Sequence, residues 1–81
     1  IQFEDDNERT IMQVKTYDRP GLLSSIGSAF YQHDIQLHNA KIATFGERVE
    51  DIFEITTNAD RSLDSVEKET LRISTLEKLE E

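Results

Sequence analysis

Residues 17–42 read YDRPGLLSSIGSAFYQHDIQLHNAKI, and the fold turns on how this stretch is divided. Pro20 suits the first turn of a helix, where its missing N–H would be unpaired anyway. Leu23, Ile26, and Ala29 or Phe30 then recur at helical spacing, which predicts a helix from about Gly21 to His33. Gly21 and Gly27 are costly inside a helix, by roughly 1 kcal/mol each relative to Ala, unless something must come close. For Gly27 the expectation is close packing of helix on sheet; for Gly21, beside the loop, ligand access is an equal alternative. Ile35 to Thr44 reads as a strand whose apolar phase slips, since Ile35 and Leu37 have one parity and Ala40 and Ile42 the other. A bulge near His38 and Asn39 would return them to a common face.

Upstream, Ile1 to Glu4 form a short alternating run, DDNE supplies turn-forming side chains, and Arg9 to Tyr17 alternate as a half-buried strand through Met12 and Val14. Downstream, Phe45 to Arg48 predict a hairpin turn into a strand from Val49 to Thr57. There Val49, Phe53 and Ile55 share a face that Asp51 interrupts. Ser62 is expected to cap a last helix with Leu63, Val66, Thr70, Ile73 and Leu76 as its apolar stripe and Asp64 paired with Lys68. The order strand, strand, helix, strand, strand, helix implies an α+β sheet with both helices on one face.

With 81 residues and no cysteine or tryptophan, the chain reads as a single domain over 1–81, without disulfides or a Cys-based metal site. It begins at Ile1 and has no long apolar run, so a cytoplasmic domain of a longer protein is expected. Nine Lys and Arg against seventeen Asp and Glu give a net charge of -8. Such a surface repels a phosphate backbone and an anionic bilayer, so neither nucleic acid nor a membrane is an expected partner.

Catalysis finds no constellation: Ser24, Ser25 and Ser28 sit in the helix, away from His33 and His38 at a helix end and on a strand. The two histidines point apart across a helix-to-strand junction, which suits solvated or capping roles better than a metal. No phosphate loop or cofactor motif is present. The helix start opened by Gly21 can nonetheless hold a small anion or a zwitterion, because its free N–H groups carry partial positive charge. Asp18 could meet the ammonium of an amino acid there.

The DRPGLL turn, helix and IQL strand resemble the ACT domain family, and residues 9 to 57 carry the likeness. The continuation HNAKIATFGERVEDIFEITT is similar to the last ACT domain of the uridylyltransferase/uridylyl-removing family. The resemblance implies a ferredoxin-like fold: a four-stranded antiparallel sheet with two helices on one face. It also implies a regulatory domain without catalytic residues that senses glutamine for its parent's catalytic domains in nitrogen metabolism. Pairing with another ACT domain, as a homodimer or within one chain, is implied too. An ACT domain ordinarily ends in a strand, whereas this order ends in a helix, so Ile1 to Glu4 are expected to fill that strand's place in a permuted ββαββα domain; the alternative is a lost strand. Carried over by position, the family's ligand site falls on Asp18, Arg19, Pro20, Gly21, Leu22, Leu23 and Gln36, with His38 and Asn39 beside them. Each residue also has a plainer role: an N-cap for Asp18, a solvated charge for Arg19, an exposed strand face for Gln36 and Asn39. A docking domain that binds no small molecule is the competing function.

Overall fold

The computed structural model describes residues 1–80. The chain runs β1 (Gln2–Asp6), β2 (Arg9–Tyr17), α1 (Leu22–Gln32), β3 (Ile35–Phe45), β4 (Arg48–Thr57) and α2 (Ser65–Leu79). The four strands form one sheet in the order β1-β2-β4-β3, antiparallel throughout. This is the expected ferredoxin-like ββαββα arrangement. The front strand lies beside β2, with Phe3 opposite Met12, on the flank a final strand would otherwise occupy. Two-residue turns close both hairpins, and Asn7 and Gly46 take the positive φ that such turns require.

Alternation along β2 and β4 sends Met12, Val14, Val49, Phe53 and Ile55 to the helix side, where they join Leu22, Ile26, Ala29 and Phe30 of α1 in the core. Phe30 and Phe53 meet edge to face, centroids 5.3 Å apart at 82°. The bulge expected in β3 lies between Leu37 and Asn39 and returns Ile35, Leu37, Ala40 and Ile42 to the helix side. Coverage is incomplete at that edge: Leu37 and Ile42 stay 50% and 46% exposed, beside Leu23 and Tyr31 of α1. The opposite, helix-free face is mostly polar, with Ile11 and Ile52 half-buried on it.

Three expectations for the last helix are corrected. Its cap is Asp64, not Ser62: Asp64 accepts the Glu67 N–H, and Glu67 accepts the Asp64 N–H, a reciprocal box that Ser62 stands too early to form. Lys68 consequently does not pair with Asp64 but reaches Asp5 of β1 at 3.0 Å. The buried stripe is Leu71 and Thr75, continued by partly buried Leu79, while Val66, Ile73 and Leu76 face outward. The phase is set before the helix begins: Leu63 is buried, and its N–H is held by the Thr10 hydroxyl of β2 at 2.9 Å. Thr75 can lie inside because its hydroxyl donates to the Leu71 carbonyl. Gly27 is corrected as well, since it is exposed and a side chain there would meet nothing.

Candidate functional site

The segment between β2 and α1 is built by its backbone. Arg19 to Leu22 close a β-turn through the Leu22 N–H and the Arg19 carbonyl, with Pro20 and Gly21 at the two central positions. Gly21 has φ 78 and ψ 8, the values of the second central residue of a type II turn, which only glycine reaches without strain. Proline presets the first central position. Pro20 therefore lies just outside the helix, and Gly21 is its N-cap. No side chain caps α1, so Asp18 is not the cap residue, and the N–H groups of Leu23 and Ser24 in the first turn are left to whatever approaches. The Asp18 N–H donates to the Glu47 carbonyl at 2.8 Å, tying the segment to the β3–β4 hairpin.

Arg19 has a structural duty. Its guanidinium donates to the Leu79 and Lys78 carbonyls at 2.5 and 2.8 Å and so closes the C-terminus of α2, where a cation is favoured. It is half-buried, not a solvated charge.

The turn opens onto a cleft of about 270 Å³ on the helix side of the sheet. Asp18, Gly21, Leu22, Leu23 and Ser24 form one wall; Ile42 and Thr44 of β3 and Val49 and Asp51 of β4 form the other. Asp51 is the residue that sequence reasoning did not bring to the site. It stands between Val14 and Ile42 in the strand register, is 1% exposed, and neither carboxylate oxygen has a hydrogen-bond partner. Burial, and secondarily the nearby Asp18 carboxylate, push its carboxyl above its ordinary value. The signal was present: an acid inside the run Val49, Asp51, Phe53, Ile55, at a position whose parity demands an apolar side chain.

The remaining expected residues are not at this cleft. Gln36, His38 and Asn39 lie on the helix-free side of the first half of β3, whereas the cleft takes Ile42 and Thr44 from the helix side of its second half. Counted to Ile42, the nearest β3 residue of the cleft, Gln36 is six residues away and Asn39 three, roughly 20 Å and roughly 10 Å at ~3.3 Å per residue, and both are on the other face. His38 shares a 2.8 Å hydrogen bond with the buried Thr56 hydroxyl, and Asn39 donates to Glu54 at 3.3 Å. A larger hollow of about 510 Å³ lies on the helix-free face between Tyr17 and Phe45. Its charges are already matched, Lys15 with Glu50 and Arg48 over the Tyr17 ring, so it offers a ligand less than the turn cleft. Among the described residues no cluster of three metal-binding side chains occurs, and no helix is long and apolar enough to cross a membrane.

The comparisons with known proteins bear on the family and the fold. The bifunctional uridylyltransferase/uridylyl-removing enzyme of Methylococcus capsulatus is 53% identical over 66 residues, 79% of this chain and 8% of that protein. The enzyme of the same name from Legionella pneumophila strain Corby is 50% identical over 74 residues, 89% of this chain and 9% of that protein. The one from Psychrobacter arcticus is 40% identical over 79 residues, 98% of this chain and 9% of that protein. The chain thus spans less than a tenth of the length of these curated relatives. A crystal structure of an unknown protein from Galdieria sulphuraria has a TM-score of 0.68 at 15% identity, covering 83% of this chain and 38% of that one, a likeness of fold alone. The ACT domain model matches residues 10–73, from the start of β2 into α2, and takes in the turn, the cleft and all of the sheet except β1; the chain belongs to the ACT domain family.

Proposed function

We propose that this chain is a regulatory, amino-acid-sensing domain of a cytoplasmic uridylyltransferase/uridylyl-removing enzyme, that it takes glutamine at the turn cleft, and that it supplies no catalytic group itself. The observation that carries the reading is the uncapped start of α1 facing a cleft that also holds an acid, Asp18. A zwitterion needs both: N–H groups at a helix start for its carboxylate and a carboxylate for its ammonium. Glutamine as the particular ligand comes from the family resemblance alone.

Pairing with another ACT domain belongs to the same reading. Strand β3 is an edge, and Leu23, Tyr31, Leu37 and Ile42 leave apolar surface exposed along it. Leu23 and Ile42 also line the cleft, so a neighbour on this flank would wall its open side. Gln36, His38 and Asn39 take no part in it, because a sheet continued through two antiparallel β3 edges keeps them on the face opposite the cleft.

Titration calorimetry of the full-length protein with glutamine tests the reading. We expect binding that Asp18→Ala weakens at least ~tenfold, the equivalent of about 1.4 kcal/mol. The glutamine concentration for half-maximal control of uridylyl transfer should rise in step. Because Asp18 does not cap α1, the loss would not be a folding effect. An Asp18→Ala protein with unchanged affinity and unchanged control would sink the site.

A further inference from the structure

We propose that Asp51, buried between the sheet and the start of α1, is the principal ammonium-binding residue of the turn cleft, and that the cleft selects ligands carrying an α-ammonium group beside a carboxylate. The inference rests on the amino-acid reading above and adds to Asp18 a second, buried carboxylate as the main partner of the charged nitrogen. Two independent observations meet here. The first turn of α1 offers the unpartnered Leu23 and Ser24 N–H groups with no side-chain cap. On the opposite wall, Asp51 is 1% exposed with both carboxylate oxygens unpaired.

Carboxylates are almost never left buried without a partner, because desolvating the charge is compensated only by a cation or by hydrogen bonds. Neither is present around Asp51. Its strand neighbours are Val14 and Ile42, and Val49 adjoins it on its own strand. The other charged groups of the cleft are Asp18 and Arg19, both from the β2–α1 segment; β3 adds only Ile42 and Thr44, and α1 only Leu22, Leu23 and Ser24. Arg19 is committed to the carbonyls that end α2, and Asp18 repels. An arriving ammonium would relieve both the desolvation and the repulsion between the two acids, whereas a neutral or anionic ligand would relieve neither. Leu23 and Ile42 line the same cleft and are about half exposed, free to change rotamer as a ligand enters.

Proton linkage follows. The carboxyl is raised above its ordinary value in the empty fold, so acid converts it to the neutral form that cannot pair with an ammonium. Affinity should therefore fall as the pH is lowered through that raised range.

The test is calorimetry on the full-length protein with two probes, glutamine and glutaramate, which lacks only the α-amino group. We expect the wild type to prefer glutamine by tenfold or more, and Asp51→Asn to weaken glutamine at least tenfold while bringing the two probes within about threefold of each other. The wild-type affinity should also drop on acidification, and that of Asp51→Asn should drop less. Equal binding of the two probes by the wild type overturns the inference, and this arm needs no variant to fold. If Asp18→Ala weakens glutamine but folded Asp51→Asn binds it as the wild type does, the turn remains the site and Asp51 is not its ammonium partner. If the wild type binds glutamine nowhere near the turn, the inference falls together with the reading it rests on.

Discussion

Asp51 lies where the demands of folding and of binding part. As a stability element it is a liability, because a β4 position that faces Val14 and Ile42 would hold a branched apolar side chain more cheaply. The sign of its pH dependence follows from the direction of the shift. A carboxyl raised in the fold binds its proton more tightly there than in the unfolded chain, so its contribution is most favourable below the ordinary carboxylate pKa. That contribution is lost as the pH rises through the raised value. Asp51→Val should therefore stabilise the domain at pH 7 by roughly 1–3 kcal/mol, the usual cost of a buried unsatisfied group. The gain should shrink near pH 4, where the wild type also sheds the charge. Urea unfolding at the two pH values reads both numbers, and a variant less stable than the wild type at pH 7 would contradict the account. Gly21 is the opposite case, a residue whose conformation the turn demands and whose side chain, were there one, would meet nothing.

At the scale of elements, the informative pair is β1 and α2. Strand β1 is short and largely exposed, yet Phe3 on it and Ile1 just before it pack half-buried against the core. It also supplies Asp5, which accepts from Thr10 at 3.2 Å and pairs with Lys68 of α2. It covers the open edge of β2, which would otherwise present unpaired N–H and C=O groups. Deleting residues 1–6 should cost about 2 kcal/mol or more, mainly through Phe3 and Ile1. Deleting residues 80–81 should cost little by comparison. Thermal unfolding of the two truncations, with light scattering as a measure of aggregation, checks the difference; equal tolerance would show that β1 is dispensable. The start and register of α2 are set by the Asp64–Glu67 box and by the Leu63–Thr10 hydrogen bond, and its end by Arg19.

At the scale of the molecule, the sheet is covered on one side only, and that cover stops short of β3. Leu23, Tyr31, Leu37 and Ile42 mark the flank left open. An edge strand with apolar neighbours on its helix side is suited to continue into a second sheet. If it does, Ile42→Lys or Leu37→Glu should shift sedimentation of the chain toward the monomer. Association of the wild type should strengthen as salt is added, since each copy carries a net charge of -8. A wild type that stays monomeric at high concentration and moderate salt would exclude this pairing in isolation.

The sequence by itself left open whether β1 replaces a final strand, and it put Gly21 inside the helix rather than in a type II turn, but it determined the order of the six elements and the bulge in β3. These depend on alternation, parity and turn stereochemistry, which are local properties of the chain. It also carried the resemblance that led to the family. Tertiary structure alone decided which side of α2 faces the core, because two apolar stripes were available and the choice fell to Leu63, held by Thr10 from a distant strand. It alone separated Gln36, His38 and Asn39 from the turn, since they stand on the helix-free side of the first half of β3. It alone brought Asp51 of β4 to the Asp18 turn. Proximity of that kind comes from strand pairing across more than thirty residues, and no spacing along the chain encodes it.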